Sequence, residues 1–239
     1  MTRKTLLVMS GKGGVGKTTI AVNLALELSL RKCLTGLLDV DVHGPNALKM
    51  LGYENVKLEA EEKRLIPLQI NDNLKAISLA GFIDDSSAVI WRGPRKHGLI
   101  RQLSDEVDWG NLEFLVVDFP PGTGDEHLSA VQLIKDIEGA IIISTPQQVS
   151  IMDMMRSVDF CTQLKVPIIG IIENMSGGIF GSGTVKQKCS ENGLNFLGKI
   201  PLSEKISRSS DNGIPFINDP DYDININFKK IVDKIKKCR

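Results

Sequence analysis

With 239 residues, 42% of them hydrophobic and 24% charged, the chain has the composition of a soluble globular protein large enough to bury its own core. Its 29 basic residues balance 29 acidic ones, which argues against a dedicated electrostatic grip on DNA or RNA without excluding a local patch. Cys33, Cys161, Cys189 and Cys238 form no C-x-x-C pair and no disulfide framework, no apolar run reaches membrane-spanning length, and no signal segment precedes the first strand, so a protein of the reducing cytoplasm is expected.

The first predicted element is a buried strand over Lys4 to Met9. Gly11-Lys12-Gly13-Gly14-Val15-Gly16-Lys17-Thr18-Thr19 follows, and then a helix from about Lys17 to Leu30. A strand, a glycine-rich turn and a helix in that order are the context of a phosphate-binding loop, and Gly11, Gly16, Lys17 and Thr18 meet its G-x-x-x-x-G-K-[ST] pattern. Glycines let successive backbone N–H groups converge on phosphate oxygens, and the helix start adds its positive dipole end. Lys17 then neutralises the β- and γ-phosphates, while the Thr18 hydroxyl ligates Mg²⁺.

Leu34 to Leu38 reads as a second strand, ending in Asp39-Val40-Asp41-Val42-His43-Gly44-Pro45-Asn46. Acidic residues there point into the ligand crevice of an α/β sheet, or else form a surface turn. Short strands are expected at Arg64 to Leu68 and Leu74 to Leu79, and Trp91-Arg92-Gly93-Pro94 opens a helix running to about Val107. Arg92 is equally a ligand contact or an ion-pair partner. Glu113 to Asp118 is an apolar strand ending in a carboxylate, the expected Mg²⁺ partner of a phosphate loop, held directly or through water. Phe119-Pro120-Pro121-Gly122-Thr123-Gly124-Asp125 follows, either a γ-phosphate-sensitive switch or a rigid connector.

Further strands are expected at Ala140 to Thr145, Val166 to Asn174 and Asn195 to Leu202. Between them come a helix from about Ser150 to Leu164, a glycine-rich loop from Ser176 to Gly183 and a helix carrying Cys189. Apolar strands alternating with helices imply an α/β fold, a mostly parallel sheet covered on both faces, in a single domain spanning residues 1–239. His43, His97 and His127 have no metal-ligand spacing, so surface or structural roles are expected. At the C-terminus Phe228, Ile231, Val232 and Ile235 share one helical face amid Lys229, Lys230, Lys234, Lys236 and Lys237. That face either lies on an anionic membrane or docks on the sheet.

By Asp125 the motifs resemble one family. Lys12 makes the loop the K-G-G-x-G-K-T variant, similar to the deviant phosphate loop of the ATPase group that includes MinD, ParA and the nitrogenase iron protein. Within that group the chain resembles the Mrp/ApbC-type iron–sulfur carrier ATPases over nearly its whole length, through Asp39 to Pro45, Trp91 to Pro94, Asp118 to Asp125, Glu173-Asn174-Met175-Ser176 and Ile200-Pro201-Leu202. The resemblance implies a homodimeric, Mg²⁺-dependent ATPase that hydrolyses ATP to ADP and phosphate and delivers iron–sulfur clusters to apoprotein clients. It implies nucleotide contacts along Gly11, Lys12, Gly13, Gly14, Val15, Gly16, Lys17, Thr18 and Thr19, with Pro201 beside them. Lys12 would reach the partner subunit's nucleotide, Asp41 would position the attacking water, Asp118 would support Mg²⁺ through water, and Asn174 would read the adenine edge. The family's C-x-x-C pair after Glu-Asn-Met-Ser is missing: Ser176 runs straight into Gly177-Gly178-Ile179-Phe180-Gly181. Cys189 is the nearest candidate cluster ligand, or simply a small helix residue. A cluster-free assembly factor and a MinD/ParA-like positioning ATPase are the alternatives.

Overall fold

The apolar run after the N-terminus forms strand β1 (Lys4–Met9), buried on both faces from Thr5 onward, in a computed structural model that describes residues 3–41, 44, 46–54, 59–61, 64–78, 106–218 and 222–237. Helix α1 (Lys17–Leu30) follows the glycine-rich loop, with Ile20, Ala21, Val22, Leu24, Ala25 and Leu28 at most 1% exposed. Strand β2 (Thr35–Asp39) starts one residue later than the apolar pattern suggests, because Leu34 lies 40% exposed before it. A short helix α2 (Ala47–Met50) then leads to a two-stranded antiparallel hairpin, β3 (Glu59–Glu61) and β4 (Arg64–Ile66), and to β5 (Leu68–Asn71) and β6 (Leu74–Ser78).

After the next described residues come β7 (Phe114–Asp118), α3 (Asp125–Leu133), β8 (Ile137–Ser144), α4 (Gln148–Gln163), β9 (Ile168–Ser176), α5 (Thr184–Glu191), β10 (Phe196–Pro201), α6 (Glu204–Asp211) and α7 (Tyr222–Lys237). Eight strands make one sheet in the order β10-β9-β8-β1-β7-β2-β6-β5, parallel throughout except for the β5–β6 pair. The α/β architecture expected from alternating apolar strands and helices is therefore present. The motif at Trp91 to Pro94, with Arg92, lies outside the described residues, as do His43, His97 and Cys238. The helix expected to reach Val107 is not helical there: Val107 instead bridges to Leu65.

Alternation along each strand feeds two cores. Leu6, Val8, Leu37, Val116 and Ile141 face α1 and α7, whereas Leu7, Met9, Leu38, Val117 and Ile142 face α4 and α5. Burial of side chains on both faces is why these strands read as nearly continuous apolar runs rather than alternating ones. Close packing favours glycine at position 36, where a Cβ would lie 2.6 Å from Leu112 Cδ1 and 2.9 Å from the Trp109 ring.

The two readings of the C-terminal helix separate here. Phe228, Ile231, Val232 and Ile235 are all buried against the sheet, with the Phe228 ring edge-on to Phe216 at 5.0 Å. Lys234 Nζ donates to Leu197 O at 2.7 Å on the edge strand, and Arg31 pairs with Asp233. The apolar face is buried in the core and is not available to a bilayer, while Lys229, Lys230 and Lys237 are exposed. Replacing Phe228 with alanine is expected to destabilise the protein by about 3–5 kcal/mol, against about 0.5 kcal/mol or less for Lys230→Ala, in denaturant unfolding. Equal stabilities for the two variants would contradict docking of this face.

Candidate active site

Three strand ends meet at the glycine-rich loop. β1 delivers the loop itself, and Asp118 at the end of the neighbouring strand β7 is the register partner of Asp39 at the end of β2, all three strands being parallel. In open α/β sheets this edge is where ligands bind. The loop is held from several directions. Ser10 Oγ donates to Lys12 O at 2.9 Å, Gly122 N donates to Ser10 O at 2.9 Å, and Asn174 Nδ2 donates to Val15 O at 2.8 Å. Gly14 and Gly16 have φ of 77° and 83°, the left-handed region that glycine adopts without strain. A Cβ at Gly11 would lie 2.0 Å from the Asp153 carbonyl oxygen, so α4 leaves room for no other residue there.

The loop curls around a cavity of about 360 Å³ whose lining includes Lys12, Gly14, Lys17, Thr18 and Asp41. Gly13, Gly16 and Thr19 line it too. A groove of about 500 Å³ between α4 and α5, lined by Ile151, Met152 and Met155, is larger, but it lacks this convergence of loop backbone, lysine and carboxylate. Chemistry rather than size therefore marks the smaller cavity as the site.

Inside it, charge is out of balance. Lys17 Nζ lies 2.7 Å from Asp118 Oδ1, 3.7 Å from Asp41 Oδ2 and 3.4 Å from Thr18 Oγ1. Asp39 is buried just behind them. Lys17 thus faces two carboxylates, and Asp118, like Asp39 behind it, is 0% exposed. Burial, and then the Asp118 charge, push the Asp39 carboxyl up to about 7. Burial also raises Asp118, against the downward pull of Lys17 and the Thr18 hydroxyl. Asp118 Oδ2 is buried with no hydrogen-bond partner among the described residues. An orphaned carboxylate oxygen beside a threonine hydroxyl and excess negative charge fits a hard divalent cation such as Mg²⁺. The same site offers a phosphate chain glycine-loop backbone, a helix N-terminus and Lys17.

The other residues singled out in the sequence divide into two groups. Lys12 lies half-buried on the loop, and Asn174 is brought against it through Val15. Pro201 ends β10 as the register partner of Ser176, one strand outward from Asn174. Cys189, by contrast, is 1% exposed on the core-facing side of α5, and burial, with the neighbouring Glu173 charge, lifts its thiol to about 11. A thiol held protonated inside a core is a poor metal ligand. Cys33 and Cys161 are buried as well, and no group of three or more metal-ligating side chains occurs among the described residues.

Two roles escaped sequence reasoning. Glu173, buried, accepts hydrogen bonds from Gly183 N at 2.9 Å, Val185 N at 3.1 Å and Ser176 Oγ at 2.6 Å, so it caps α5 and fastens the Gly177–Gly183 loop beside Asn174. His127, expected to be surface or structural, is structural: its Nε2 donates to Pro120 O at 2.8 Å, tying α3 to the double-proline loop. Neither contact leaves a periodic trace, since both join segments through a turn.

A family model for the NUBPL iron-transfer P-loop NTPase matches residues 1–236. The iron–sulfur cluster carrier protein of Methanocaldococcus jannaschii is 46% identical over 241 aligned residues, covering 96% of this chain and 83% of that one. A cytosolic Fe–S cluster assembly factor of Caenorhabditis elegans is 38% identical over 249, covering 97% and 80%. Among solved structures, the nucleotide-binding protein of Archaeoglobus fulgidus in complex with ADP superposes with a TM-score of 0.78 at 30% identity, covering 91% of this chain and 89% of that one.

The raised carboxyl at Asp39 has a measurable sign. Between about pH 4 and pH 7 the folded state holds a proton there that the unfolded state has released, so stability of the nucleotide-free protein falls as pH rises through this window. Denaturant unfolding at pH 5 and pH 7.5 is expected to show that fall, and Asp39→Asn is expected to flatten it.

Proposed function

The chain belongs to the NUBPL-type iron-transfer P-loop NTPase family, and on that premise we propose that it is a Mg²⁺-dependent ATPase that works as a homodimer in iron–sulfur cluster transfer. The observation that carries the hydrolytic part is the Lys17, Asp41 and Asp118 constellation at the mouth of the glycine-rich loop. Residues 1–239 act as one catalytic domain, in keeping with a sheet whose strands come from most of the described chain. The free, buried thiols at Cys33, Cys161 and Cys189 accord with a reducing, cytoplasmic setting, and no described helix is long and apolar enough to cross a membrane.

In this reading Lys17 leaves Asp118 and spans the β- and γ-phosphates, as a point charge on a flexible stem can. Backbone N–H groups from Gly13 to Thr18 cradle the phosphates. Thr18 and Asp118 hold Mg²⁺, the latter through water, and the ion neutralises charge on the phosphate oxygens when bound. Asp41, 8% exposed at the cavity, accepts a hydrogen bond from the attacking water and keeps it in line. Lys12 extends towards the nucleotide of a second copy, adding positive charge where the transition state gathers negative charge. Asn174 uses one Nδ2 hydrogen on Val15, which leaves its carbonyl oxygen and second N–H to accept from and donate to an adenine edge. Loss of the γ-phosphate releases the loops at Asp41 and Pro120-Pro121, and that change moves the cargo.

Cluster delivery to apoprotein clients rests on the family and on the two named relatives. The burial of Cys33, Cys161 and Cys189 favours a second version, in which the chain drives transfer without holding a cluster on those thiols. The docked face of α7 leaves a membrane-positioning role without its anchor.

Lys17→Ala is expected to abolish both nucleotide binding and turnover, whereas Asp41→Ala keeps ADP binding and loses turnover by about 10²-fold or more. Wild-type rates in Asp41→Ala would remove that residue from the reaction. Anaerobic reconstitution with iron and sulfide separates the two versions of the cargo step. A chromophore that survives gel filtration and passes to apo-ferredoxin supports carriage by this chain. A colourless protein with intact ATPase activity supports the cluster-free version.

A further inference from the structure

Asp39 is fully buried, yet it is not among the residues lining the phosphate cavity. Its two oxygens accept two backbone N–H groups and one hydroxyl. Oδ1 accepts the Asp41 N–H at 3.0 Å, while Oδ2 accepts the Ala47 N–H at 3.2 Å and the Ser78 hydroxyl at 2.9 Å. Asp41 and Ala47 are the two ends of the segment that leaves β2 and enters α2. A single carboxylate on a rigid strand end therefore grips both ends of that segment. Ser78, the last residue of β6 and the register partner of Asp39, braces it from the neighbouring strand.

Placing a carboxylate in the interior beside Asp118 is unfavourable, and such a group persists where charge-assisted hydrogen bonds offset the cost. We propose that Asp39 is a positioning residue for ATP hydrolysis, which aims the Asp41 carboxylate by clamping both ends of its loop, with Ser78 holding the clamp in register. This inference rests on the ATPase reading and on Asp41 as the group that orients water.

The clamp acts on direction. Asp41 emerges one residue beyond Val40, so a shift of its N–H moves the carboxylate relative to Lys17, from which it now lies 3.7 Å. Displacement of a catalytic group by about 1 Å is enough to cost about 10²-fold in rate. Above about pH 7, where Asp39 is ionised, asparagine cannot reproduce the grip, because one of its two ends is a donor. If that end faces Ala47, two N–H groups oppose each other. If it faces Asp41, the bond that aims the catalytic carboxylate is lost. The glycine loop, with its own ties to Gly122 and Asn174, stands apart from these contacts, so nucleotide binding is spared.

The test uses the full chain, Mg²⁺, ADP and radiolabelled ATP under single-turnover conditions. Asp39→Asn is expected to bind ADP within about threefold of wild type and to lose about 10²-fold in the hydrolysis rate. Added to Asp41→Ala, it is expected to cost nothing more, since there is no longer a carboxylate to aim. Ser78→Ala is expected to lose several-fold and Ser78→Thr, which keeps the hydroxyl, to recover. Wild-type turnover in Asp39→Asn, or a fully additive loss in the double variant, would overturn the proposal. Should Asp39→Asn fail to fold, the Ser78 pair decides: equal rates for alanine and threonine there would overturn it as well. A wild-type protein that binds ADP and never turns over ATP would instead mark failure of the ATPase reading itself.

Discussion

One ammonium between two carboxylates, with a third carboxyl buried behind them, is the constraint on which this site depends. Lys17 is held 2.7 Å from Asp118 and 3.7 Å from Asp41, and Asp39 stands behind them with no solvent at all. Such a cluster is uncomfortable by itself, because burial disfavours each charge and the acids repel one another. The discomfort is visible in the raised Asp39 and Asp118 carboxyls and in the orphaned Asp118 Oδ2. A magnesium ion with a phosphate chain answers both sides of the imbalance. On the proposed reading the cation, through water, would answer the spare carboxylate oxygen, and the phosphates would take the lysine. The same features that cost stability without nucleotide are those that give nucleotide a place to act.

The sheet supplies the geometry for this. Parallel strands β1, β7 and β2 end side by side, so residues far apart in sequence are carried to one edge. The loop after β1 is then tied outward on both sides, to the double-proline segment through Gly122 and to β9 through Asn174. His127 holds the first of these segments and Glu173 the second. Each is a buried polar group bonded to backbone, and each fixes a loop next to the nucleotide loop's anchors. The nucleotide loop is thus wired to two surfaces of the protein without any side chain spanning the distance.

The thiols and the last helix show the opposite situation, in which residues that invite a functional reading are buried in the core. Cys189 lies on the helix that Glu173 caps, and the packing that buries it also keeps its sulfur protonated. The lysine-rich helix α7 buries Phe228, Ile231, Val232 and Ile235 over β10. Amphipathic patterns state that one face of a helix needs an apolar partner, and they do not name the partner.

Much of this protein was determined by its sequence alone. The strand, loop and helix from Lys4 to Leu30 needed only local pattern, because apolar runs, glycines with left-handed φ and helix formers act on their own neighbours. The carboxylates at the ends of β2 and β7 were readable in the same way, since each simply terminates an apolar run. What tertiary structure decided is everything that requires two such segments to meet: Asp39 gripping Asp41, Ala47 and Ser78, Glu173 capping α5, and α7 choosing the sheet over a membrane. The reason is physical. A hydrogen bond between distant segments, or the choice of what covers an apolar face, depends on register and sheet order, and those arise only when the strands have paired.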